Sequence, residues 1–296
     1  MSLDNLLSLW GADPEIRGSI VAWEKTPARL PQLEPLPTSL RPELSRALQH
    51  TGIRSLYRHQ VLAWRHAQEG RHVILVTGTA SGKTLAYNLP VLNRLIDDPD
   101  ARALYLFPTK ALAQDQVSTL ETLTAQLPAG ITIPAGTYDG DTTARARQAI
   151  RKNGRIIVTN PDMLHLGILP HHPTWSQFFR HLTYIVIDES HAYRGVFGSH
   201  VANVLRRLNR ILEFYRAAPR YFLTSATIGN PIELAEQLTG QSFQLVDEDG
   251  SARGPQNFLI YNPPLVNEEL FWGDAGIGMS IFGTSLAVAG IYGSGT

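Results

Sequence analysis

Four short strings in this chain carry side chains whose types and spacing suit work on a phosphate. They are Gln60 in LYRHQ, TGTASGKT from Thr77 to Thr84, DESH from Asp188 to His191, and SAT from Ser225 to Thr227. TGTASGKT is the most constrained. His72 to Val76 is an apolar, β-branched run of strand character and Thr84 to Leu95 has helical spacing, so the glycines fall at a strand-to-helix turn. Gly78 and Gly82 let successive backbone N–H groups converge with Thr79, Ala80 and Ser81 on one concavity, and the helix beginning near Lys83 adds its positive dipole end. Lys83 would reach the β- and γ-phosphates of ATP, and the Thr84 hydroxyl would ligate Mg²⁺. The string departs from the usual pattern in having Thr77 where glycine is common, and Ala80 where many such loops carry a second one. Neither change removes the lysine or the hydroxyl. The competing reading is a glycine turn of purely structural use.

DESH follows the apolar run Tyr184 to Ile187, which reads as a central strand ending beside the phosphate loop. Asp188 would hold Mg²⁺ through water, and Glu189 would orient or deprotonate an attacking water. Adjacent acids on an extended chain project to different sides, which suits two jobs. His191 has two readings, a sensor of nucleotide state or a filler of a polar gap. SAT follows strand-like Arg220 to Thr224, and its hydroxyls, Ser225 and Thr227, are placed to bond the DESH carboxylates and couple them to a mobile partner. Gln60 lies before the first of these strands, and its amide has the donor and acceptor pair that the adenine edge requires. Tyr57 packs either on the base or on the fold.

The set Gln60, TGTASGKT, FPTKALAQDQ, TNPDML, DESH and SATIGNP resembles the first RecA-like domain of superfamily 2 helicases of the DEAD/DEAH-like type. PLPTSL, LYRHQ, YDGDT, NPDMLHLGILP, SATIGNPIELA and IYNPP look like the YprA- or MrfA-like branch, over roughly Pro27 to Glu269. The resemblance implies a three-layer α/β P-loop NTPase domain with a mostly parallel central sheet. It also implies a DNA helicase linked to repair, moving 3′ to 5′, with a second RecA-like domain and a cysteine-bound zinc. By the same resemblance Thr109 and Lys110 meet backbone phosphates, as do Thr159, Asn160, Pro161 and Asp162. The residues give independent support, since each group follows a strand-like run and opens a helix, although an ordinary N-cap explains the same pattern.

The elements that must position these residues alternate strand and helix, and 296 residues suffice for one large α/β core. The expected organisation is a helical extension over 1–26, the ATP-binding domain over 27–265 with a proline-rich start to Pro37, and an atypical tail over 266–296. Lysine plus arginine and aspartate plus glutamate number 26 each, so nucleic acid must bind through local patches. Candidates are Arg145, Arg147, Arg151, Lys152 and Arg155, and Arg206, Arg207 and Arg210; solvated helix faces explain them as well. The chain has no cysteine, which excludes disulfides and the zinc of the resembled branch. His171 and His172 show no metal-ligand spacing and read as structural. With no cleavable signal peptide visible from Met1 to Trp10, cytoplasm is the expected compartment.

From Phe271 to Thr296 the only charge is Asp274, and seven of the 26 residues are glycine. A non-native continuation, a loose linker and a membrane anchor are the three readings; glycine richness and the lack of flanking basic residues disfavour the anchor, so no membrane partner is expected. No second RecA-like domain with its arginines is visible in the sequence. Two hypotheses follow. One is the first motor domain of an ATP-dependent DNA helicase, with DNA preferred to RNA as partner; the other is a truncated module that binds ATP and nucleic acid with negligible turnover.

Overall fold

The computed structural model describes residues 3–261; the tail over 266–296 lies outside the described residues. The chain divides into two compact units, one formed by residues 30–252 and the other, among the described residues, by 3–29 with 253–261. In the smaller unit, Leu3–Ala12 (α1) and Pro14–Ser19 (α2) precede Ile20–Thr26 (β1), which runs antiparallel to Gln256–Tyr261. The helical extension expected over 1–26 therefore stops at Ser19. Ile20, Val21 and Trp23 have the branched and aromatic shapes that fit a pleated surface. Trp23 Nε1 donates to Asn257 Oδ1 at 3.0 Å, and this partner strand, at the far end of the described chain, decides a conformation that local pattern left open.

In the larger unit the expected linker includes Leu33–Pro35 (β2), paired antiparallel with Ser55–Tyr57 (β3); Pro42–His50 (α3) lies between them and Arg58–Gln68 (α4) follows. Then come His72–Val76 (β4), Lys83–Asp97 (α5), Arg102–Leu106 (β5), Lys110–Thr124 (α6), Ala135–Thr137 (β6), Ala144–Asn153 (α7) and Ile156–Thr159 (β7). Pro161–Met163 (α8) continues through wider and tighter helical turns to Trp175 and into Ser176–Arg180 (α9). Leu182–Ile187 (β8), Gly195–Phe214 (α10), Arg220–Ser225 (β9), Pro231–Thr239 (α11) and Phe243–Val246 (β10) complete it.

Seven of these strands form one parallel sheet in the order β10-β4-β9-β8-β5-β7-β6. The central strands are apolar through their middles, with polar residues at their ends, because helices cover both faces. Side chains alternate between two cores. Val73, Leu75, Tyr105, Val186 and Phe222 face one, packed with α3 to α6; Ile74, Val76, Leu106, Ile187 and Leu223 face the other, packed with α10, α11 and the α8–α9 stretch. This is the three-layer α/β architecture of RecA-like helicase domains. Among the described residues no helix is long and apolar enough to cross a membrane.

Arg155 leaves the basic patch proposed for it. It is buried, and its guanidinium donates to the carbonyls of Leu95 at 2.5 Å, Asp98 at 2.7 Å and Thr132 at 3.3 Å. It satisfies acceptors that the end of α5 leaves open. Burial lowers its pKa, and the neighbouring Arg102 adds to the effect. Arg155→Ala should cost about 1.5–3 kcal/mol, the range for hydrogen bonds to a charged group, read as a fall in Tm. Alanine at the exposed Arg151 or Lys152 should leave Tm unchanged.

Candidate nucleotide and nucleic-acid site

Three of the four strings that carry chemistry emerge at the carboxyl ends of the parallel strands, and the fourth, with Gln60, lies on α4 just before β4. The chain runs outward from β4 through β5 to β6, then returns through β7, β8 and β9, so that β9 lies between β4 and β8. Ligands bind where strand order reverses in this way, because the loops there diverge and leave a crevice. Thr77–Gly82 leaves β4, Asp188 and Glu189 leave β8, and Ser225–Thr227 leaves β9.

The loop from Thr77 to Gly82 is held from inside. The Thr77 and Ser81 hydroxyls lie 2.6 Å apart, and Gly82, at φ +82°, caps α5 in the left-handed region. A Cβ at Gly82 would come within 2.7 Å of Gln60 Nε2, so glycine is required there twice over. Ala80 is also left-handed, at φ +58°, with no such freedom, and Thr79 and Ala80 are exposed. Lys83 is nearly buried, and its Nζ donates to the carbonyls of Thr77 at 3.4 Å and Ser225 at 3.3 Å. Among the described residues it forms no ion pair.

Gln60 is buried and braces the loop. Its Nε2 donates to the Gly82 carbonyl at 2.9 Å, and its Oε1 accepts from the Tyr57 N–H at 2.9 Å. One amide hydrogen and one carbonyl lone pair are left for a ligand. Tyr57 stacks on His59 with ring centroids 5.6 Å apart. Both Tyr57 and Gln60 line a cavity of about 690 Å³ with Gly82, Thr84, Leu85 and Asn88, closed on one side by Ser118, Thr119 and Thr122 of α6.

Asp188 is buried, and burial raises its pKa above the usual carboxylate range, opposed first by the Thr224 hydroxyl and reinforced by the charge of Glu189. Its Oδ1 accepts from the Thr224 hydroxyl and, at 3.0 Å, from the Glu189 N–H. Its Oδ2 accepts from the Tyr87 hydroxyl at 3.3 Å. Glu189 is not extended, as expected, but left-handed at φ 50° and ψ 44°, where the chain turns out of β8 into the short turn Ser190–Ala192. That turn, not strand alternation, separates the two carboxylates. His191 Nδ1 lies 3.1 Å from Glu189 Oε2 and 3.2 Å from the Ala226 N–H. Protonated, that nitrogen donates to the acid; bare, it accepts from Ala226.

The link between the SAT turn and the acids therefore runs through Thr224 and the Ala226 backbone. The Ser225 hydroxyl donates to the Ala226 carbonyl at 2.7 Å, and Thr227 is exposed on a separate cavity of about 670 Å³ with Arg194, Asn203, Arg206 and Asn230. Strand alternation explains the difference: within β9 Thr224 faces Asp188, Ser225 as the next and last strand residue points the other way, and Thr227 lies in the turn beyond.

The second group of expected residues lies along the same sheet edge, at the adjacent ends of β5 and β7, where Leu106 is in register with Thr159. Thr109 caps α6, accepting from the Leu112 N–H at 3.4 Å, and Asn160 accepts from the Met163 N–H at 2.8 Å. Pro161 is buried and Asp162 exposed. Thr159 differs from expectation: it is buried and donates to the Tyr138 carbonyl at 2.6 Å, so its hydroxyl faces the fold. Lys110 is exposed and pairs with Asp141 at 2.5 Å. The YDGDT turn carrying Asp141 is fixed by Asp139 Oδ1, which accepts from the Asp141 and Thr142 N–H groups at 2.9 Å, and by Arg147, which donates to the Asp139 carbonyl at 2.7 Å. Arg206 donates to Asn203 at 2.7 Å and Arg207 contacts His165 at 3.4 Å, both on the surface. His172 Nδ1 lies 2.9 Å from the Tyr215 hydroxyl.

Thr84 and Asp188 are hard oxygen donors, the kind that suits Mg²⁺, and no group of three or more His, Asp or Glu that could cage a metal exists among the described residues. That donor set fits an ion completed by substrate phosphates and water rather than by a protein cage. A carboxyl more basic in the fold than in the unfolded chain stabilises the fold when protonated, and the contribution is lost as pH rises through its folded pKa. Asp188→Asn should therefore raise the Tm of the ligand-free chain at neutral pH, with the difference shrinking as pH falls into the ordinary carboxylate range. It should also remove any stabilisation by Mg²⁺ with nucleotide. Thermal unfolding as a function of pH reads both effects, and a lower Tm at neutral pH would contradict the assignment.

Comparison with known proteins agrees with this geometry. Residues 57–235 match the DEAD/DEAH box helicase family, more than half of the chain. The chain is 53% identical to the ATP-dependent helicase YprA of Bacillus subtilis over 252 residues, covering 85% of this chain and 33% of that protein. It is 40% identical to the ATP-dependent helicase HRQ1 of Saccharomyces cerevisiae, covering 81% of this chain and 22% of that protein. The crystal structure of the DUF1998 helicase MrfA bound to DNA and AMPPNP superposes with a TM-score of 0.86 at 51% identity, covering 90% of this chain and 37% of that one. The chain thus spans between about a fifth and two fifths of the length of these relatives. Motif order, strand order and the extent of the family match agree: the chain belongs to the DEAD/DEAH box helicases and carries their RecA-like motor domain.

Proposed function

We propose that this chain is the ATP-binding first motor domain of an ATP-dependent DNA helicase or translocase. The observation that carries the reading is Lys83: a nearly buried ammonium at the start of α5, held by two carbonyls from the ends of β4 and β9 and near enough to Asp188 for the two charges to interact. Such a cation is set to receive phosphate oxygens. In this reading the remaining hydrogen-bonding capacity of Gln60, with Tyr57 beside it, takes adenine, and Thr79 to Lys83 hold the phosphates. Thr84 and Asp188 would hold Mg²⁺, which supplies charge neutralisation at the transferring phosphate. Glu189 orients the attacking water, with His191 fixing the acid against Ala226, and Ser225 and Thr227 belong to the turn that passes the state of the acids outward. Thr109, Lys110 and Asn160 to Asp162 form the edge on which a strand's phosphates rest, Lys110 exchanging Asp141 for phosphate. Thr159 supports that edge from within.

DNA is the preferred partner because the similar MrfA was crystallised on DNA. A role in DNA repair, and the cytoplasm as its place, rest on the family resemblance alone. Transition-state arginines belong to a second RecA-like domain in this class of motor. A second reading is a module that binds ATP and single strands without appreciable turnover, since the residues placed above around Lys83, Asp188 and Glu189 include no arginine.

Steady-state ATPase with and without single-stranded DNA separates the two. Stimulated turnover lost by about 10²–10⁴-fold in Glu189→Gln, the usual range for a general acid or base, and lost in Lys83→Ala together with nucleotide binding, supports the motor. Binding without turnover supports the module. Absence of any thermal stabilisation by Mg²⁺-ATP at millimolar concentration would sink both.

A further inference from the structure

Beneath the phosphate loop lies a chain of buried polar side chains that the proposed chemistry leaves unused. Tyr87, one turn after Thr84 on α5, is fully buried against Tyr105 and Phe222, with ring centroids 5.6 and 6.0 Å away. Its hydroxyl faces two acceptors, Gln116 Oε1 at 3.0 Å and Asp188 Oδ2 at 3.3 Å. Gln116, on α6 and also buried, donates from Nε2 to Asn88 Oδ1 at 3.3 Å, and Asn88 Oδ1 accepts as well from the Tyr105 hydroxyl at 2.8 Å. Apolar side chains of similar shape would fill this space without the penalty of burying polar groups. Tyr87 and Gln116 hold one another and reach Asp188, whereas Tyr105 joins only at Asn88, on the far side of Gln116.

The ends of this chain matter. One is the carboxylate proposed to hold Mg²⁺, whose other oxygen is already occupied by Thr224 and the Glu189 N–H. The other sits on α6, two turns from the Thr109 and Lys110 end proposed to carry nucleic-acid phosphates, about 10 Å along a single helix. A tyrosine hydroxyl has one proton, so it serves Asp188 or Gln116 at a given moment. A small shift of α6 changes which acceptor takes it, and hence how Asp188 Oδ2 is held.

We propose that Tyr87 and Gln116 are positioning residues that couple nucleic acid seated at the start of α6 to the orientation of Asp188, and so to the binding of Mg²⁺-nucleotide. This rests on the function proposed above. Coupling is reciprocal: DNA tightens nucleotide binding by the same factor as nucleotide tightens DNA binding.

The test measures that factor directly, as the ratio of affinities of the whole chain for a fluorescent, non-hydrolysable Mg²⁺-ATP analogue with and without saturating oligodeoxythymidine. For the unaltered chain a factor of about five or more is expected, at the lower end of usual coupling. Tyr87→Phe, which keeps the ring, and Gln116→Leu should each bring it close to one. Tyr105→Phe removes an equally buried hydroxyl that touches neither Asp188 nor Gln116, and should retain the full factor. Should Gln116→Leu fail to fold, Tyr87→Phe against Tyr105→Phe decides. An unaltered chain that binds both ligands with no coupling, a full factor in Tyr87→Phe, or an equal loss in Tyr105→Phe overturns the proposal. An unaltered chain that binds neither ligand takes down the functional reading, and this one with it.

Discussion

One ammonium group ties together the ends of two strands that are remote in sequence. Lys83 Nζ reaches the Thr77 carbonyl at the end of β4 and the Ser225 carbonyl at the end of β9, and it can do so only because β9 is inserted between β4 and β8. That insertion also brings Thr224 against Asp188 and the Ala226 N–H against His191. Had β9 added to the outer edge, the phosphate loop would neighbour the acids directly and no element would read both. The strand order therefore makes the SAT turn an intermediary, reached by the lysine from one side and by the acids from the other.

Holding this arrangement stores strain at the site. Among the described residues three that are not glycine adopt positive φ, and two of them, Ala80 and Glu189, stand in the phosphate loop and the acid turn. Such conformations persist only where surroundings over-determine them. For Glu189 the surroundings are plain: its N–H donates to Asp188 Oδ1 and its carboxylate meets His191. For the loop they are Gly82 pressed against Gln60 and the Thr77–Ser81 hydroxyl pair. The glutamine before the first sheet strand is thus a structural brace as well as a candidate base reader, and its two functions use different lone pairs and protons of one amide.

Strands were readable because β-branched runs such as His72–Val76 and Tyr184–Ile187 have no comfortable alternative inside two layers of helix, and the turns after them because glycine and helix spacing mark the change of period. What escaped was pairing across strands. Thr224, Tyr87 and Gln116 touch Asp188 or its partners through a strand order that no spacing encodes, and Thr224 was passed over for the hydroxyls that follow it. Thr159 and Arg155 were misplaced for a related reason: a polar side chain at a strand end can turn inward when a bare carbonyl waits there, Tyr138 for the threonine and the end of α5 for the arginine. Asp188 could have pointed to Tyr87, since a buried carboxylate needs more donors than its own turn supplies.

That need also explains why the polar chain runs where it does. A carboxylate at the end of a central strand cannot be hydrated from beneath, and burial pushes its pKa up. Each oxygen must then be supplied with donors or with a cation. Oδ1 is met by a strand hydroxyl and a backbone N–H, groups that cannot withdraw without unpicking β9 or the acid turn. Oδ2 is met by Tyr87, whose proton has a second acceptor within reach in Gln116. The asymmetry divides the acid into a fixed half and an adjustable half. If Asp188 holds Mg²⁺ as proposed, the tyrosine is the one partner of the acid that has another acceptor to turn to, and that acceptor is on α6, so the donors around a buried aspartate fix where coupling would enter the site.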